Sequence, residues 1–311
     1  MTVESNSPPS GEESRNSADS KRWRVCVVYN PTAGRRRQNR LNAFLGELGQ
    51  QGAIVELLPT TAPGDAIRFA EECESADWDV LVAAGGDGTL NEVINGWQPE
   101  GPPIAVIPLG TANVAAIEIG IPSSPADIAR MILEGEERPA FVAAINGRRF
   151  LLMSGIGFDA HVVDRISPRL KKLLGKAAYG LEVLRRMVYF RFPDYRVLID
   201  GREEIAASAI IAKGHYYAGP YVCAPSASFD TKGVYVCLFR TKGRRQVLRY
   251  GMALLSGRLP IRPDVTIFPA SEVEIMEPAG EPIQIDGDSG PKTPATVRAL
   301  DDPIPLIRPY D

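Results

Sequence analysis

Apolar residues in the first half of the chain form short continuous runs that alternate with stretches of helical spacing. A continuous run of four to six apolar residues is typical of a strand buried on both faces, and spacings of three and four indicate a helix. The predicted strands are 24–29, 53–58, 79–84 and 104–107, and the predicted helices are one around Leu41, Phe44, Leu45 and Leu48 and one at 66–73. Strands alternating with helices predict a mostly parallel sheet in a three-layer α/β domain.

After about residue 141 the pattern changes to strand-like runs that follow one another with turns between them. These runs are 150–153, 196–199, 209–212, 234–239, 273–275, 282–285 and 295–299, interrupted by one block of helical spacing at 168–189. Consecutive strands predict a mostly antiparallel β domain, a sandwich or a curled sheet. We therefore expect a disordered tail at 1–21, an α/β domain at 22–141 and a β domain at 142–311.

Composition excludes several classes of protein. The 311 residues carry a formal net charge of -3, which argues against global attraction to nucleic acid or anionic lipid. Contact with a membrane would therefore need a local patch. Four scattered cysteines and two histidines predict reduced thiols and exclude a histidine-rich metal site. No run of about 18 apolar residues predicts a transmembrane segment, and the polar tail lacks a signal peptide's apolar core, so a cytoplasmic protein is expected.

The most informative stretch is the glycine-rich turn that follows the third strand. Gly85, Gly86 and Gly88 let the backbone approach a ligand, and the amides at the start of the next helix can bind phosphate oxygens. Asp87 lies inside this turn, where a carboxylate suggests either Mg²⁺ handling or general-base work. A tight turn with Asp87 as a helix N-terminal acid explains the same residues.

Two further loops carry polar and glycine residues after a strand. Residues 30–34 follow the first strand and precede three arginines at 35–37, while residues 108–113 follow the fourth strand. Guanidinium groups suit phosphate contact, although an exposed helix face also explains the arginines. Because the carboxyl ends of parallel strands meet at one edge of a sheet, one mononucleotide site explains all three loops.

With these residues in view, the chain resembles the diacylglycerol-kinase catalytic family, which includes bacterial lipid kinases and sphingosine kinases. The matching segments are 30–34, Thr60 with 64–66, 85–96, 110–113, 155–160 and 286–288. The resemblance runs from about Arg24 to the C-terminus. It implies an N-terminal nucleotide domain, a C-terminal β-sandwich, and ATP and lipid meeting between them.

The resemblance also implies roles for individual residues. The residues expected to bind ATP are Asn30, Pro31, Thr32, Ala33, Gly34, Arg35, Thr60, Gly85, Gly86, Asp87, Gly88, Thr89, Leu90, Asn91, Glu92, Gly110, Thr111 and Asn113. The family's proton acceptor is usually the glutamate of an Asp-Gly-Glu motif, a position held here by the shorter Asp288. Asp87 and Asp286 remain candidates for the base, and Mg²⁺ is the expected cofactor of ATP.

Three features concern the lipid and a structural metal. Asp159 lies in a segment that looks like the family's lipid pocket, where it would bind the head group or cap a turn. Asp230 is the remaining ligand of the segment that resembles a structural Mg²⁺ site, and Lys232 would partly neutralise it. The block 168–189 is basic and amphipathic, which fits either a membrane surface or packing on the β domain.

The interpretation favoured by these observations is an ATP-dependent lipid kinase whose acceptor is diacylglycerol. The alternatives are a sphingoid-base kinase, an enzyme like NAD kinase, which shares the Gly-Gly-Asp-Gly-Thr segment, and a nucleotide or lipid sensor with weak turnover. The expected partner is a lipid at the inner membrane surface, where peripheral association is compatible with the sequence. No nucleic acid is expected, and a homodimer is compatible.

Overall fold

The computed structural model describes residues 22–31, 35–165, 185 and 187–310. The tail predicted at 1–21, residues 32–34 and most of the helix predicted at 168–189 lie outside this part of the chain. Among the described residues, no helix combines the length and the apolar character needed to span a bilayer.

The first sheet has six strands, and its members come from both ends of the chain. They are β1 (Arg24–Tyr29), β2 (Ile54–Pro59), β3 (Val80–Gly85), β4 (Ile104–Pro108), β5 (Glu136–Ala140) and β20 (Ile304–Arg308). In the order β2-β1-β3-β4-β20-β5, every neighbouring pair is parallel except β20 with β5. The predicted strands in this region agree with the observed ones to within one residue at each end.

Helices cover both faces of this sheet. They are α1 (Arg35–Gln50), α2 (Asp65–Glu71), α3 (Asp87–Gly96), α4 (Val114–Glu118) and α5 (Pro125–Glu134). Val25 and Val27 of β1 pack with buried residues of α1 and α5, whereas Cys26 and Val28 pack with those of α2 and α3. Successive strand residues point to opposite faces, which is why the apolar run in β1 is continuous. The predicted three-layer α/β domain is confirmed.

The second half of the chain forms two six-stranded antiparallel sheets packed face to face. One contains β6 (Ala143–Ile145), β7 (Arg148–Phe150), β9 (Tyr195–Ile199), β10 (Arg202–Ala206), β16 (Glu272–Glu277) and β19 (Ala295–Ala299). The other contains β8 (Met153–Ile156), β11 (Ser208–Ala212), β14 (Val234–Phe239), β15 (Val265–Ala270), β17 (Pro282–Ile285) and β18 (Asp288–Lys292). Their facing side chains form one apolar cluster, so the predicted sandwich is confirmed.

Smaller elements decorate the sandwich. These are α6 (Phe158–Arg165), the hairpin of β12 (Tyr216–Tyr217) and β13 (Tyr221–Val222), α7 (Arg244–Leu255) and a 3-10 turn at Leu259–Ile261. The hairpin packs against both domains, because β12 contacts α4 and β13 contacts α7. It therefore lies at the boundary between the α/β domain and the sandwich.

The chain end differs from the predicted division into 22–141 and 142–311. After the last sandwich strand the chain crosses back, and β20 inserts between β4 and β5 of the first sheet. Ile304, Leu306 and Ile307 are buried there. Five residues interrupted by a proline carry too short a pattern to reveal which sheet they join, since only the available strand partners decide it.

One predicted strand is wrong. The run 150–153 was expected to be continuous, but β7 ends at Phe150 and β8 begins at Met153. Leu151 and Leu152 are buried between them, and their backbone N–H groups are turned to a side chain of a distant hairpin. The apolar pattern reported burial correctly, but it carries no information on where the N–H groups point.

We expect Leu306→Ala to lower the free energy of unfolding by about 2–5 kcal/mol, because Leu306 is buried and its truncation leaves a cavity. Ile54→Ala is the matched control, since Ile54 is 52% exposed on an edge strand. Urea denaturation measures both. Equal, small losses would contradict a core role for β20.

Candidate active site

The carboxyl ends of the parallel strands meet at one edge of the first sheet, as the three polar loops predicted. The N–H of Thr60, after β2, donates to the carbonyl of Tyr29 at 2.9 Å. The N–H of Asn30, after β1, donates to the carbonyl of Ala84 at 3.3 Å. Thr60 itself is buried. These bonds hold the loop starts side by side.

The glycine loops after β3 and β4 touch through their backbones. A Cβ on Gly110 would lie 2.5 Å from the Cα of Gly86, and one on Gly85 would lie 2.2 Å from the hydroxyl oxygen of Thr89. Leu109 and Gly110 both donate N–H groups to the carbonyl of Gly85, at 2.8 and 3.1 Å. No side chain fits at these contacts, so glycine is required by close approach.

Helix α3 begins within this contact. Its N-cap is Gly86, in an extended conformation and with no capping side chain. The first N–H groups of a helix and its dipole together favour an anion, although in α3 the N–H of Thr89 already donates to the carbonyl of Gly86 at 3.0 Å. The start of α3 is therefore suited to hold phosphate oxygens.

Asp87, whose own backbone N–H also bonds to its carboxylate, reaches the next loop. Its Oδ1 accepts the N–H of Ala115 at 3.1 Å, at the start of α4. Burial raises the pKa of its carboxyl, while backbone N–H groups of Ala115, Val114 and Asn113 oppose that rise. Asp87 thus joins the two glycine loops by capping a helix that belongs to the second.

The side chains that follow Asp87 in α3 make separate contacts. Leu90 is buried in the core. Glu92 accepts the N–H groups of Gly64 and Ala66 at 3.2 and 3.3 Å, which caps the start of α2. Asn91 is buried and reaches the sandwich. These three side chains therefore anchor the first turns of α3 to the core, to α2 and to the sandwich.

An arginine reaches the third loop. Arg37 donates from Nη2 to the hydroxyl of Thr111 at 2.8 Å. The side chain of Arg35 and residues 32–34 lie outside what the structure describes. Asn113 adopts a positive φ of 49° and donates to the carbonyl of Gly110 at 3.2 Å. The three arginines at 35–37 indicated a cation near these loops, but the sequence alone did not show which of them contacts Thr111.

The carboxylate of Asp286 joins the two domains. It accepts Nδ2 of Asn91 at 2.9 Å and the N–H groups of Leu151, Leu152 and Met153 at 3.1, 3.0 and 2.9 Å. Burial raises the pKa of this carboxyl to about 6, and these four donors oppose the rise. Three of these donors come from the bend at Leu151–Met153, where β7 ends and β8 begins.

The hairpin that carries Asp286 also presents Asp288 to the glycine loop. Asp286 and Gly287 have positive φ of 49° and 83°, as in a type I′ turn between β17 and β18. A Cβ on Gly88 would lie 3.1 Å from Oδ2 of Asp288. The segment is thus an Asp-Gly hairpin turn, and this turn places the carboxylate of Asp288 beside the glycine loop.

Asp159 lies next to the same hairpin. It accepts the hydroxyl of Tyr217 at 3.3 Å, and burial raises the pKa of its carboxyl to about 6, opposed in part by a hydrogen bond from Gln284. The Oε1 of Gln284 accepts the N–H of Gly287 at 2.9 Å. Gln284 was not identified from the sequence as a site residue, although a polar residue inside the apolar run of β17 indicates a buried hydrogen-bonding role.

The surroundings of Asp230 do not fit a divalent cation. Its Oδ1 accepts Nη1 of Arg308 in β20, and Nζ of Lys213 donates to the carbonyls of Ser228 and Thr231, the latter at 2.6 Å. Lys232 pairs instead with Asp301 at 2.7 Å. Two side-chain cations already neutralise the oxygens of this loop. In the described part of the chain, no three His, Cys, Asp or Glu side chains form a metal-binding group.

Removing the amide of Asn91 is expected to weaken the domain joint. Asn91→Ala leaves Asp286 with one donor fewer in a partly buried position, which should cost about 1–3 kcal/mol of unfolding free energy. Asn42→Ala on the exposed face of α1 is the control, and chemical denaturation is the measurement. An Asn91→Ala protein as stable as the control would show that the joint contributes nothing.

The raised pKa of Asp159 predicts a pH-dependent stability. The folded protein binds this proton more tightly than the unfolded chain does, so the stabilisation is greatest below about pH 4 and is lost as pH rises through about 6. Between those values, the difference in unfolding free energy between wild type and Asp159→Asn should change by on the order of 1–3 kcal/mol. Denaturation at several pH values, with the exposed Asp302→Asn as control, tests this, and a constant difference would refute it.

Two family profiles match the chain, one in each half. The diacylglycerol kinase catalytic domain matches residues 24–145, and the YegS C-terminal NAD kinase beta sandwich-like domain matches residues 153–308. The first contains the glycine loops, and the second contains Asp159 and the Asp286–Asp288 hairpin. The second also includes β20, which lies in the first sheet.

Curated relatives and a solved structure cover nearly the whole chain. Diacylglycerol kinases from two strains of Staphylococcus aureus, bovine RF122 / ET3-1 and MRSA252, are each 30% identical over 296 residues, covering 93% of this chain and 94% of theirs. A crystal structure of a diacylglycerol kinase from Bacillus anthracis str. Sterne superposes with a TM-score of 0.74 at 26% identity, covering 93% of this chain and 98% of that one. The predicted resemblance is confirmed: this chain belongs to the diacylglycerol kinase family of lipid kinases.

Proposed function

We propose that the protein transfers the γ-phosphate of Mg-ATP to the hydroxyl group of a lipid, with diacylglycerol as the favoured acceptor. The observation that carries this proposal is the contact between Asp288 and Gly88, which puts a carboxylate of the sandwich against the glycine loop of the α/β domain. Acceptor and donor would meet at this junction. The family's lipid-kinase chemistry and the names of its relatives support the choice of acceptor.

Asp288 is the proposed general base. Of the three candidate acids, Asp87 is engaged by the start of α4 and Asp286 by four N–H donors. The carboxylate of Asp288 reaches the loop proposed to hold the phosphates from the other domain, beside Gly88. It would take the proton of the lipid hydroxyl while the hydroxyl oxygen bonds to the γ-phosphorus and the bond to ADP breaks.

The start of α3 and the neighbouring loops are proposed to hold the triphosphate. Amides at the uncapped start of α3 would bind phosphate oxygens, and Arg37, fixed by Thr111, would add a positive charge. Thr60 and Asn30 lie at the adjoining loop starts. Contacts from these three groups of residues would position the triphosphate, and positioning is the main requirement of phosphoryl transfer.

Mg²⁺ would arrive with ATP as part of the substrate. The ion would be carried by the phosphates, while Asp288, whose carboxylate lies beside the phosphate loop, keeps its proposed part as base. When bound, the ion supplies neutralisation of phosphate charge. The other two acids keep the loops and the domains in position.

Asp159 is proposed to orient the lipid head group. Tyr217 and Gln284 fix its carboxyl, and Gln284 also bonds the Asp286–Asp288 turn through Gly287. Gln284 therefore fixes the position of Asp159 relative to Asp288, and with it the position of a lipid hydroxyl bound to Asp159. With a pKa of about 6, the carboxyl is mostly ionised at neutral pH and accepts a hydrogen bond.

Asp288→Asn should lower transfer of labelled γ-phosphate from Mg-ATP to diacylglycerol in mixed micelles by about 10²–10⁴-fold in a protein that still folds. Asp288→Glu, which restores the acid usual in the family, should retain activity. Asp286→Asn is expected to lower stability and activity together. Wild-type turnover by a folded Asp288→Asn protein would rule out the base.

A panel of acceptors separates this proposal from its alternatives. It contains diacylglycerol, monoacylglycerol, a sphingoid base, ceramide, a polyprenol and NAD. Label on a sphingoid base would replace diacylglycerol, and label on NAD alone would overturn the lipid acceptor. Binding of ATP without label on any acceptor would indicate a sensor.

A further inference from the structure

One face of helix α7 is apolar and exposed, although Ala253, Tyr250 and Leu254 on its other side pack against the core. Gln246 is buried, whereas Leu248, Met252 and Leu255 are 49%, 62% and 64% exposed. These three residues are spaced by four and three, so they share one face of the helix. A helix that only packs on a sandwich has no such exposed apolar face.

The orientation of α7 is fixed by polar contacts on its inner side. Gln246 donates to Asp264, and the Oδ1 and Oδ2 of Asp264 also accept Nε and Nη2 of Arg262 at 2.8 and 2.9 Å. The hydroxyl of Tyr250 accepts the N–H of Thr241 at 3.2 Å. Rolling the helix to bury its leucines would break these bonds. The apolar face is therefore held outward by the fold.

Basic residues surround this face. Between Thr241 and Pro263 the chain has six lysines and arginines and no acidic residue, although the whole chain has a net charge of -3. Lys242 pairs with Asp194, and Arg262 pairs with Asp264. The guanidinium groups of Arg245, Arg249 and Arg258 are exposed beside the apolar side chains.

The face continues beyond the helix. Ile261, on the 3-10 turn after α7, is 79% exposed. Arg249, Met252, Arg258 and Ile261 line a shallow groove of about 350 Å³. At the other end of α7, Arg244 donates to the carbonyl of Val188 at 2.6 Å, and the side chains of Val188 and its neighbour Tyr189 are exposed. We name Leu248, Met252, Leu255 and Ile261, with Arg245, Arg249 and Arg258, the arginine–apolar surface.

We propose that the arginine–apolar surface docks on the head-group region of an anionic membrane, with its apolar side chains inserted and its guanidinium groups at the lipid phosphates. Charge complementarity selects this occupant, because a surface of one sign on a net negative protein matches a negatively charged plane. Long basic side chains can bury their stems and keep their charge in the head-group layer. The proposed lipid-kinase function explains why the protein would bind a membrane, and the binding itself does not depend on that function.

The surface is connected to the candidate lipid site through one hairpin. α7 packs against β13, whose Tyr221 pairs with Tyr217 of β12. The hydroxyl of Tyr217 donates to Asp159, the proposed head-group contact. A membrane bound at α7 would therefore lie one hairpin away from the acid that orients the acceptor.

Cosedimentation with vesicles tests the docking surface without using kinase activity. Wild-type protein should bind vesicles rich in phosphatidylglycerol, bind pure phosphatidylcholine poorly, and be released by salt. The double variants Met252→Ser with Leu255→Ser, and Arg245→Gln with Arg249→Gln, should each lower partition on the order of tenfold or more. All four residues are exposed, so the fold is expected to be unaffected.

Matched controls lie elsewhere on the protein. Ile54→Ser with Ile205→Ser removes apolar side chains of similar exposure, and Arg130→Gln with Arg202→Gln removes exposed guanidinium groups. Equal binding by the surface variants and these controls would overturn the proposal. So would a change of mass in light scattering without a change in vesicle binding, because the face would then be a contact between two copies of this chain.

Activity in detergent micelles separates this proposal from the proposed function. The surface variants should keep wild-type phosphate transfer to diacylglycerol in micelles and lose it selectively on anionic vesicles. Vesicle binding that depends on the surface, in a protein without transfer to any lipid, would leave the surface supported and the kinase refuted. Transfer on vesicles that is unchanged in the surface variants would refute the surface alone.

Discussion

The candidate active site depends on the carboxylate of Asp286. One charged group on a hairpin of the sandwich accepts the amide of Asn91 from the α/β domain and three consecutive backbone N–H groups from the bend at Leu151–Met153. A partly buried carboxylate is costly unless its lone pairs are satisfied, and these donors satisfy them. The same bonds fix the turn that carries Asp288. A contact that looks structural thus determines where the proposed base lies.

A second joint between the domains is formed by β20. β20 returns from the sandwich to the first sheet, and its Arg308 binds Asp230 in a loop whose carbonyls also accept the ammonium of Lys213. Burial lowers the pKa of Lys213 to about 8, while the nearby negative charge of Asp230 favours its charged form. Side-chain cations therefore stabilise this loop. With the Asp286 joint, they hold the two domains at a defined separation.

The division of labour between the domains follows from their architecture. A parallel sheet collects loops and helix starts at one edge, which suits a polyphosphate, whereas an antiparallel sandwich offers hairpins that can reach across to that edge. Gln284 connects the hairpin of Asp288 to Asp159, and Tyr217, which also bonds to Asp159, belongs to the hairpin that contacts α7. The proposed base, head-group contact and membrane surface thus belong to one connected part of the sandwich.

The sequence by itself determined the layers, the first four strands to within one residue at each end, and the three loops that converge, because apolar periodicity and glycine-rich turns are local properties of the chain. It identified the three acids and left their roles open. The tertiary structure gives Asp87 and Asp286 different hydrogen-bond partners, one 28 and the other 195 residues away along the chain. The break in the run 150–153, the return of β20 and the outward face of α7 were decided in the same way. Each depends on hydrogen-bond and strand partners brought together by folding, and no local pattern specifies such partners.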